Sequence, residues 1–281
     1  MEQKKFSFTS SYRNFLLILP YILIVLVFIV IPILLIFIKS LTPTNSGNIS
    51  QNWNFVDVFI WKKILKSFII AIITTVVSIL IAYPFSYFLA FNFKGKITKT
   101  LAVLFITAPT WSSFLVKIIG VKTLFDFINR YQNSTSGDIY TIIGLVYLYI
   151  PFMILPIYNE LKDMPKNLIY ASKDLGWSEW STFVNVVIPY TKTALISGIT
   201  LVFLPCLTIV SVPQFLNSSS SGSLIGDILM EEGLLAQTSD ISLARASTLA
   251  LIIFLFLVVG LLIYWLTKKI SRLILKKKGG K

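Results

Sequence analysis

Apolar residues in this chain run in long blocks separated by short charged segments. Six blocks approach the roughly 20 residues that a helix needs to cross the hydrocarbon core of a bilayer. They are Phe15–Ile38, Phe68–Phe91, Leu101–Val121, Ile139–Tyr158, Thr193–Leu216 and Ala246–Leu266. The pattern predicts an all-α polytopic membrane protein with six transmembrane helices in a single domain spanning residues 1–281. Prolines fall inside several blocks, among them Pro84, Pro109, Pro151, Pro156 and Pro205. Membrane helices tolerate them because neighbouring helices can re-satisfy the freed backbone groups. The first block is longer than the core of a signal peptide and no small-residue cleavage site follows it, so it is expected to remain as an anchor.

The segments between the blocks carry their own pattern. Thr42–Trp61 is polar and then amphipathic, and is expected to lie along the membrane surface. Asn217–Arg245 opens on a flexible Ser/Gly run and continues as LIGDILMEEGLL, a predicted short helix bearing Asp227, Glu231 and Glu232. The segment 159–192 is far longer than the few residues that usually join two helices. It predicts two short helices. Asp163 can cap the first and Pro165 suits its opening turn. Leu168, Ala171, Ser172 and Leu175 then share one face, and Gly176 stands where a left-handed residue would end the helix. Ser178 can cap the second helix, whose stripe is Trp180, Phe183 and Val187, and Pro189 marks the return to the membrane. A first helix of about nine residues is about 13 Å long. Such a helix can lie crosswise and fit a groove on another protein. An amphipathic hairpin that packs only on its own bundle has the same pattern.

Composition supports the membrane reading. The chain is 56% hydrophobic and 13% charged with a mean hydropathy of +0.81, against about 25% charged residues in a soluble domain. Orientation follows from Lys and Arg, which accumulate on the cytoplasmic side. With both termini inside, the inside segments hold 17 of the 25 (Lys4, Lys5 and Arg13; Lys94, Lys96 and Lys99; Lys162, Lys166, Lys173 and Lys192; and seven after Thr267). The outside loops hold seven: Lys39, Lys62, Lys63, Lys66, Lys122, Arg130 and Arg245. The expected topology is therefore N-in/C-in, and the net charge of +13 reflects orientation rather than nucleic-acid binding.

Several chemistries are excluded. The chain has one cysteine, Cys206, no histidine, and no carboxylate inside any of the six blocks. That removes a disulfide framework, a cysteine metal cluster, and the commonest general base and metal ligand. Proton- or sodium-coupled carriers place ionisable groups at membrane depth, and membrane hydrolases need a nucleophile with a base or a metal. The chain also lacks a G-x-x-x-x-G-K-[ST] phosphate loop. If it moves a solute uphill, another chain supplies the energy.

The 159–192 segment carries a resemblance. Tyr170-Ala171-Ser172, three residues, Gly176, nine residues, then Val186-x-Ile188-Pro189 resembles the EAA loop of binding-protein-dependent ATP-binding cassette (ABC) importer permeases. In that family the pattern is E-A-A, three residues, G, nine residues, I-x-L-P. AYPFSYFLA (Ala82–Ala90), APTWSS (Ala108–Ser113), IGLVY (Ile143–Tyr147), Pro151-Phe152-Met153 with Pro156, and ASKDLG (Ala171–Gly176) are similar to stretches of spermidine/putrescine importer permeases. The resemblance implies a type I ABC importer (MetI-like) permease fold and a multi-pass protein of a bacterial cell membrane. It implies that residues 159–192 contact the ATPase, through Tyr170, Ala171, Ser172, Asp174, Leu175, Gly176 and Pro189. The implied partners are a second permease subunit, two ATPase subunits that bind the ATP and magnesium, and an extracellular substrate-binding protein. No cofactor is expected on this chain, which is not expected to be an enzyme. One departure stands out: the family's loop glutamate is replaced by Tyr170, and Asp174 lies four residues on.

The implied substrate is a polyamine. Aromatic faces can hold such a cation at about 0.5–2 kcal/mol per contact. Trp111, Tyr83, Tyr87, Tyr147 and Tyr149 are the candidates at membrane depth, although most aromatic residues in so apolar a chain serve packing. Asp227, Glu231 and Glu232 are candidate external acidic contacts, a role no different in pattern from a solvated acidic face. The rival readings are the same architecture carrying a metal ion, phosphate or sugar, and a membrane enzyme or insertase that works without an ATPase.

Overall fold

The computed structural model describes residues 17–43, 49–54, 56–93, 95–128, 137–217 and 223–278. Phe15, Lys4, Lys5, Arg13, Lys94, Arg130, Lys281 and most of the Ser/Gly run after Asn217 lie outside the described residues. Among the described residues the ordered elements are all helical. Four helices are long and apolar enough to cross a membrane, and two further pairs pass the same test but are sharply bent. Counting each bent pair as one crossing gives six.

The chain divides into two compact units. One comprises Met1–Asp57 and Leu229–Lys281, the other Val58–Ile228. In the first, helix α1 (Leu17–Leu41) packs against the long C-terminal helix α12 (Asp240–Lys278). Almost every described α1 side chain is exposed. A helix apolar all round and uncovered suits a lipid or helix-lined surrounding. Its end is tied to the short helix α2 (Ser50–Asn54), where the buried Asn52 amide donates to the carbonyls of Ser40 and Thr42. Helix α12 starts at Asp240, six residues before the predicted block, and continues past it.

The second unit is built on three helices. These are α3 (Val58–Phe91), α6 (Asp138–Asp163) and α9 (Lys192–Thr208), each packed on the other two. Helix α3 buries a stripe of small residues (Ser67, Ala71, Thr75, Ser78, Ala82, Ser86 and Ala90) at helical spacing. Without a hydrophobic drive between helices in lipid, small residues let backbones approach closely and hydroxyls bond across the interface. Ser86 does this, donating to the carbonyl of Ile154 on α6 at 3.3 Å. Leu145, Met153, Ile157 and Leu161 of α6, with Val202 and Leu207 of α9, fill the core between them.

Three predicted elements of this unit differ. Helix α3 begins at Val58 rather than Phe68, so Val58–Trp61 belongs to it and not to a surface segment. Lys62, Lys63 and Lys66 break the apolar run, but their turns stay helical. Lys63 is buried with its ammonium 2.7 Å from Ser223 Oγ, and Lys66 lies 2.8 Å from Asp138. The predicted third span is two helices. Helix α4 (Lys96–Thr107) runs through a 3₁₀ turn, Ala108–Trp111, and turns by 98° into α5 (Phe114–Ile128). Pro109 opens the 3₁₀ turn, and Thr110 and Ser112 donate to the carbonyls of Thr107 and Pro109 that the break exposes. The predicted fifth span ends at Thr208 and resumes as the short helix α10 (Ser211–Leu216). Helix α11 (Ile225–Leu235) docks on that interruption. A Cβ at Gly226 would sit 2.6 Å from the carbonyl of Ile209 and 2.7 Å from that of Thr208, so only glycine allows the approach.

Candidate functional site

Between α6 and α9 the chain folds as the sequence pattern implies, with differences at both ends. Helix α7 (Lys166–Asp174) has nine residues. Asp163 does not cap it. That residue ends α6, and Pro165 occupies the cap position, its carbonyl accepting from Leu168 N–H at 3.1 Å. Among the described residues Gly176 is the one in the left-handed region, at φ +78°. Its N–H donates to Lys173 and the N–H of Trp177 to Ser172, at 2.9 and 3.1 Å. These are the two bonds of a Schellman motif, which satisfies the last carbonyls and stops the helix. Ser178 caps the next helix, α8 (Glu179–Tyr190), accepting from Ser181 N–H at 3.2 Å.

Helix α7 shows most of itself to the outside. Leu168, Tyr170, Ala171, Asp174 and Leu175 are exposed, Leu175 by 75%, while Ser172 is buried. Of the predicted face, then, only Ser172 points inward, and the rest is an uncovered apolar strip. Tyr170 and Asp174 are both exposed, and neither makes an ion pair among the described residues.

Ser172 joins the two loop helices. Its hydroxyl lies 2.9 Å from that of Thr182 on α8, and both side chains are buried. An exposed ion pair, Lys173 to Glu179 at 3.2 Å, bridges the same two helices. Helix α8 in turn reaches α3. Phe183 packs edge-on against Tyr83 and Tyr87, with centroids at 5.3 and 5.4 Å, and Trp180 stacks on its other side at 5.7 Å. Helix α8 passes through a π-helical turn, Phe183–Val187, and meets α9 at a 71° bend. The bend lies at Thr191, two residues beyond Pro189, which sits within α8. The buried Thr191 hydroxyl bonds with the Tyr83 hydroxyl and lies 3.0 Å from the carbonyl of Val187. An unbroken series of contacts therefore runs from α7 through Ser172, Thr182 and Phe183 to α3, and from Thr191 to α3 directly.

The aromatic candidates do not converge. Tyr83 and Tyr87 line a cavity of about 910 Å³ beside α8, together with Trp180, Phe183, Glu179 and Asn92. Trp111 is 73% exposed at the bend between α4 and α5, and Tyr147 is exposed on α6; neither lines that cavity. The acidic candidates also separate. Asp227 turns inward and accepts from the backbone N–H of Leu224 at 2.7 Å, the N3-to-cap half of a capping box. Burial pushes its carboxyl above the usual carboxylate range, against the Leu224 bond and the charge of Lys63. Glu232 is buried, 3.9 Å from Arg245, and Glu231 is exposed. Among the described residues no group of three or more His, Cys, Asp or Glu could hold a metal ion.

Sequence reasoning missed Thr182, Thr191 and the cluster formed by Lys63, Lys66, Asp138 and Asn217. Asn217 donates to Asp138 at 2.7 Å, which ties α6 to the end of α10. The signal for the cluster was three lysines at the start of an apolar block facing an aspartate at the start of another.

Residues 82–276 match the family described as binding-protein-dependent transport system inner membrane component. The chain is 38% identical to the spermidine/putrescine transport system permease protein PotB homolog of Mycoplasma genitalium, over 84% of this chain and 85% of that one. It is 30% identical to the spermidine/putrescine transport system permease protein PotB of Escherichia coli, over 79% and 82%. Its fold matches a chain in the crystal structure of a bacterial ABC transporter involved in the import of the acidic polysaccharide alginate. The TM-score is 0.64 at 13% identity, covering 88% of this chain and 94% of that one. The chain therefore belongs to the binding-protein-dependent transport system inner membrane components, as a multi-pass permease of the cytoplasmic membrane.

Proposed function

We propose that this chain forms half of the translocation pathway of an ATP-driven polyamine importer and receives its motion through α7. A second, related permease completes the pathway, and two ATPase subunits, which carry the ATP and magnesium, dock below. An extracellular binding protein delivers the substrate. Both chain ends face the cytoplasm, which puts residues 159–192 on the ATPase side. The observation that carries the coupling role is the geometry of α7. It is a nine-residue helix, closed by Gly176, uncovered on its Leu168–Ala171–Leu175 strip and bonded inward by one buried serine. An uncovered helix on a fixed base suits insertion into a groove of another chain. Closure of the ATPase pair displaces α7, and the contacts through Phe183 and Thr191 move α3 and α9 with it. A rigid element with two positions is what such coupling requires.

The polyamine substrate rests on what the relatives are named for. Trp111 and Tyr147 present exposed ring faces that an alkylammonium chain can meet. Two measurements test the assignment. Purification of the tagged chain from its own membranes should bring down an ABC ATPase, and its absence would end the importer reading. Uptake of labelled spermidine should fall when cells are depleted of the chain. Unchanged uptake would remove the polyamine assignment and leave the permease intact.

A further inference from the structure

The cavity beside α8 brings a carboxylate, which the packing against α3 does not require, next to the rings that make that packing. Its lining combines rings, among them Tyr83, Tyr87, Trp180 and Phe183, with aliphatic side chains of α3, α8 and α9, and its one charged lining residue is Glu179. Aromatic faces around a carboxylate form the chemistry that holds alkylammonium ions, the rings by their quadrupoles and the carboxylate by charge. The molecule already places such an ion against Glu179, on the exposed side of that carboxylate. The Lys173 side chain, a primary ammonium on a four-carbon stem, reaches from the end of α7 to lie 3.2 Å from Glu179. The Tyr87 hydroxyl is within electrostatic reach of both charges. That ion pair is exposed, so it is weakly held and open to competition. The cavity, at about 910 Å³, has room for a chain of several methylenes with amines at intervals.

We propose that this cavity is a second, inner-face binding site for aliphatic oligoamines, in which the ligand's ammonium displaces Lys173 from Glu179. The site lies where α7 is fastened to α8. A bound amine removes one of the two polar ties between the coupling helix and the rest of the loop and leaves Ser172–Thr182 as the other. The site thus gives amine accumulated on the ATPase side a way to loosen α7 and slow the importer. The site draws on the reading above for the sidedness and the choice of probe, and its effect on transport rests on the coupling role of α7 given there.

Equilibrium binding of labelled spermidine to the full chain in phosphatidylcholine nanodiscs tests it, because two substitutions in one ion pair must act in opposite directions. Glu179→Gln should weaken binding severalfold. Lys173→Ala removes the internal competitor and should tighten it severalfold. Trp180→Ala, on the exposed wall, should weaken it less than Glu179→Gln does. Unchanged binding in Glu179→Gln would overturn the proposal. So would weakening by Lys173→Ala equal to that by Glu179→Gln, which is the behaviour of a structural ion pair. A co-purifying phospholipid that spermidine cannot displace and Trp180→Ala releases would also overturn it, marking the cavity as a lipid site. Opposite shifts in the two variants, with normal uptake in depleted cells, would keep the site and remove the transport assignment.

Discussion

The hydroxyls of Ser172 and Thr182 lie 2.9 Å apart, both buried, and together form the inward attachment of an otherwise exposed helix. Removing one leaves the other without its partner in an enclosed position, which costs about 1–3 kcal/mol. Ser172 also donates to Ile169 within its own helix, so Thr182 loses more when its partner goes. Ser172→Ala and Thr182→Val should each lower the uptake driven by a given rate of ATP hydrolysis. The double variant should be little worse than either, and a double-mutant cycle on that ratio checks it.

Gly176 makes a separable prediction. A Cβ there meets nothing within 4 Å, so a substitution acts through the backbone alone. Holding an L-residue in the left-handed region costs about 1–2 kcal/mol, and least for asparagine. Uptake should therefore fall in the order wild type, Gly176→Asn, Gly176→Ala, Gly176→Val, while the protein still inserts and co-purifies with its partners.

Tyr83 pins the bend between α8 and α9. Tyr83→Phe keeps the ring against Phe183 and removes only the bond to Thr191, which still reaches the Val187 carbonyl. The expected loss of stability is modest, about 1 kcal/mol. The expected effect on coupling is larger, because α3 then follows the loop through Phe183 alone. Parallel thermal unfolding and uptake measurements separate the two effects.

Asp227 gives a pH signature. Burial raises its carboxyl above the ordinary 3.8. A group with a raised folded pKa stabilises the fold while protonated; that contribution is complete below the unfolded value and is lost as pH rises through the folded one. Asp227→Asn keeps an acceptor for Leu224 N–H and removes the titration. Its melting temperature should change less than the wild type's across about pH 4 to 7, and should equal or exceed it at neutral pH.

Local signals in the sequence were strong where one residue type has one physical use. Gly176 had to be a left-handed stop and Ser178 a cap; each is where the pattern put it. The apolar blocks located the long apolar helices in the same way. Boundaries failed where tertiary partners decide. Three lysines read as a loop until Ser223 and Asp138 are known to hold two of them in a helix. The 71° bend at Thr191 follows no proline rule, because a hydroxyl bond to Tyr83, 108 positions away, holds it. Aromatic residues in an apolar chain look alike whether they pack or bind. Only the structure shows Tyr83 and Tyr87 set against Phe183 and beside a cavity, and Trp111 and Tyr147 exposed and apart from it.

The account stands most directly on the uncovered strip of α7, and one measurement addresses it. With the importer reconstituted in proteoliposomes, spermidine imported and ATP hydrolysed are counted together for the wild type and for Leu175→Asp, whose side chain is exposed and unpartnered in this chain. The account predicts that the variant folds and inserts normally but imports severalfold less spermidine per ATP, or fails to retain the ATPase. An unchanged ratio with the ATPase fully retained would contradict the claim that this helix carries the motion.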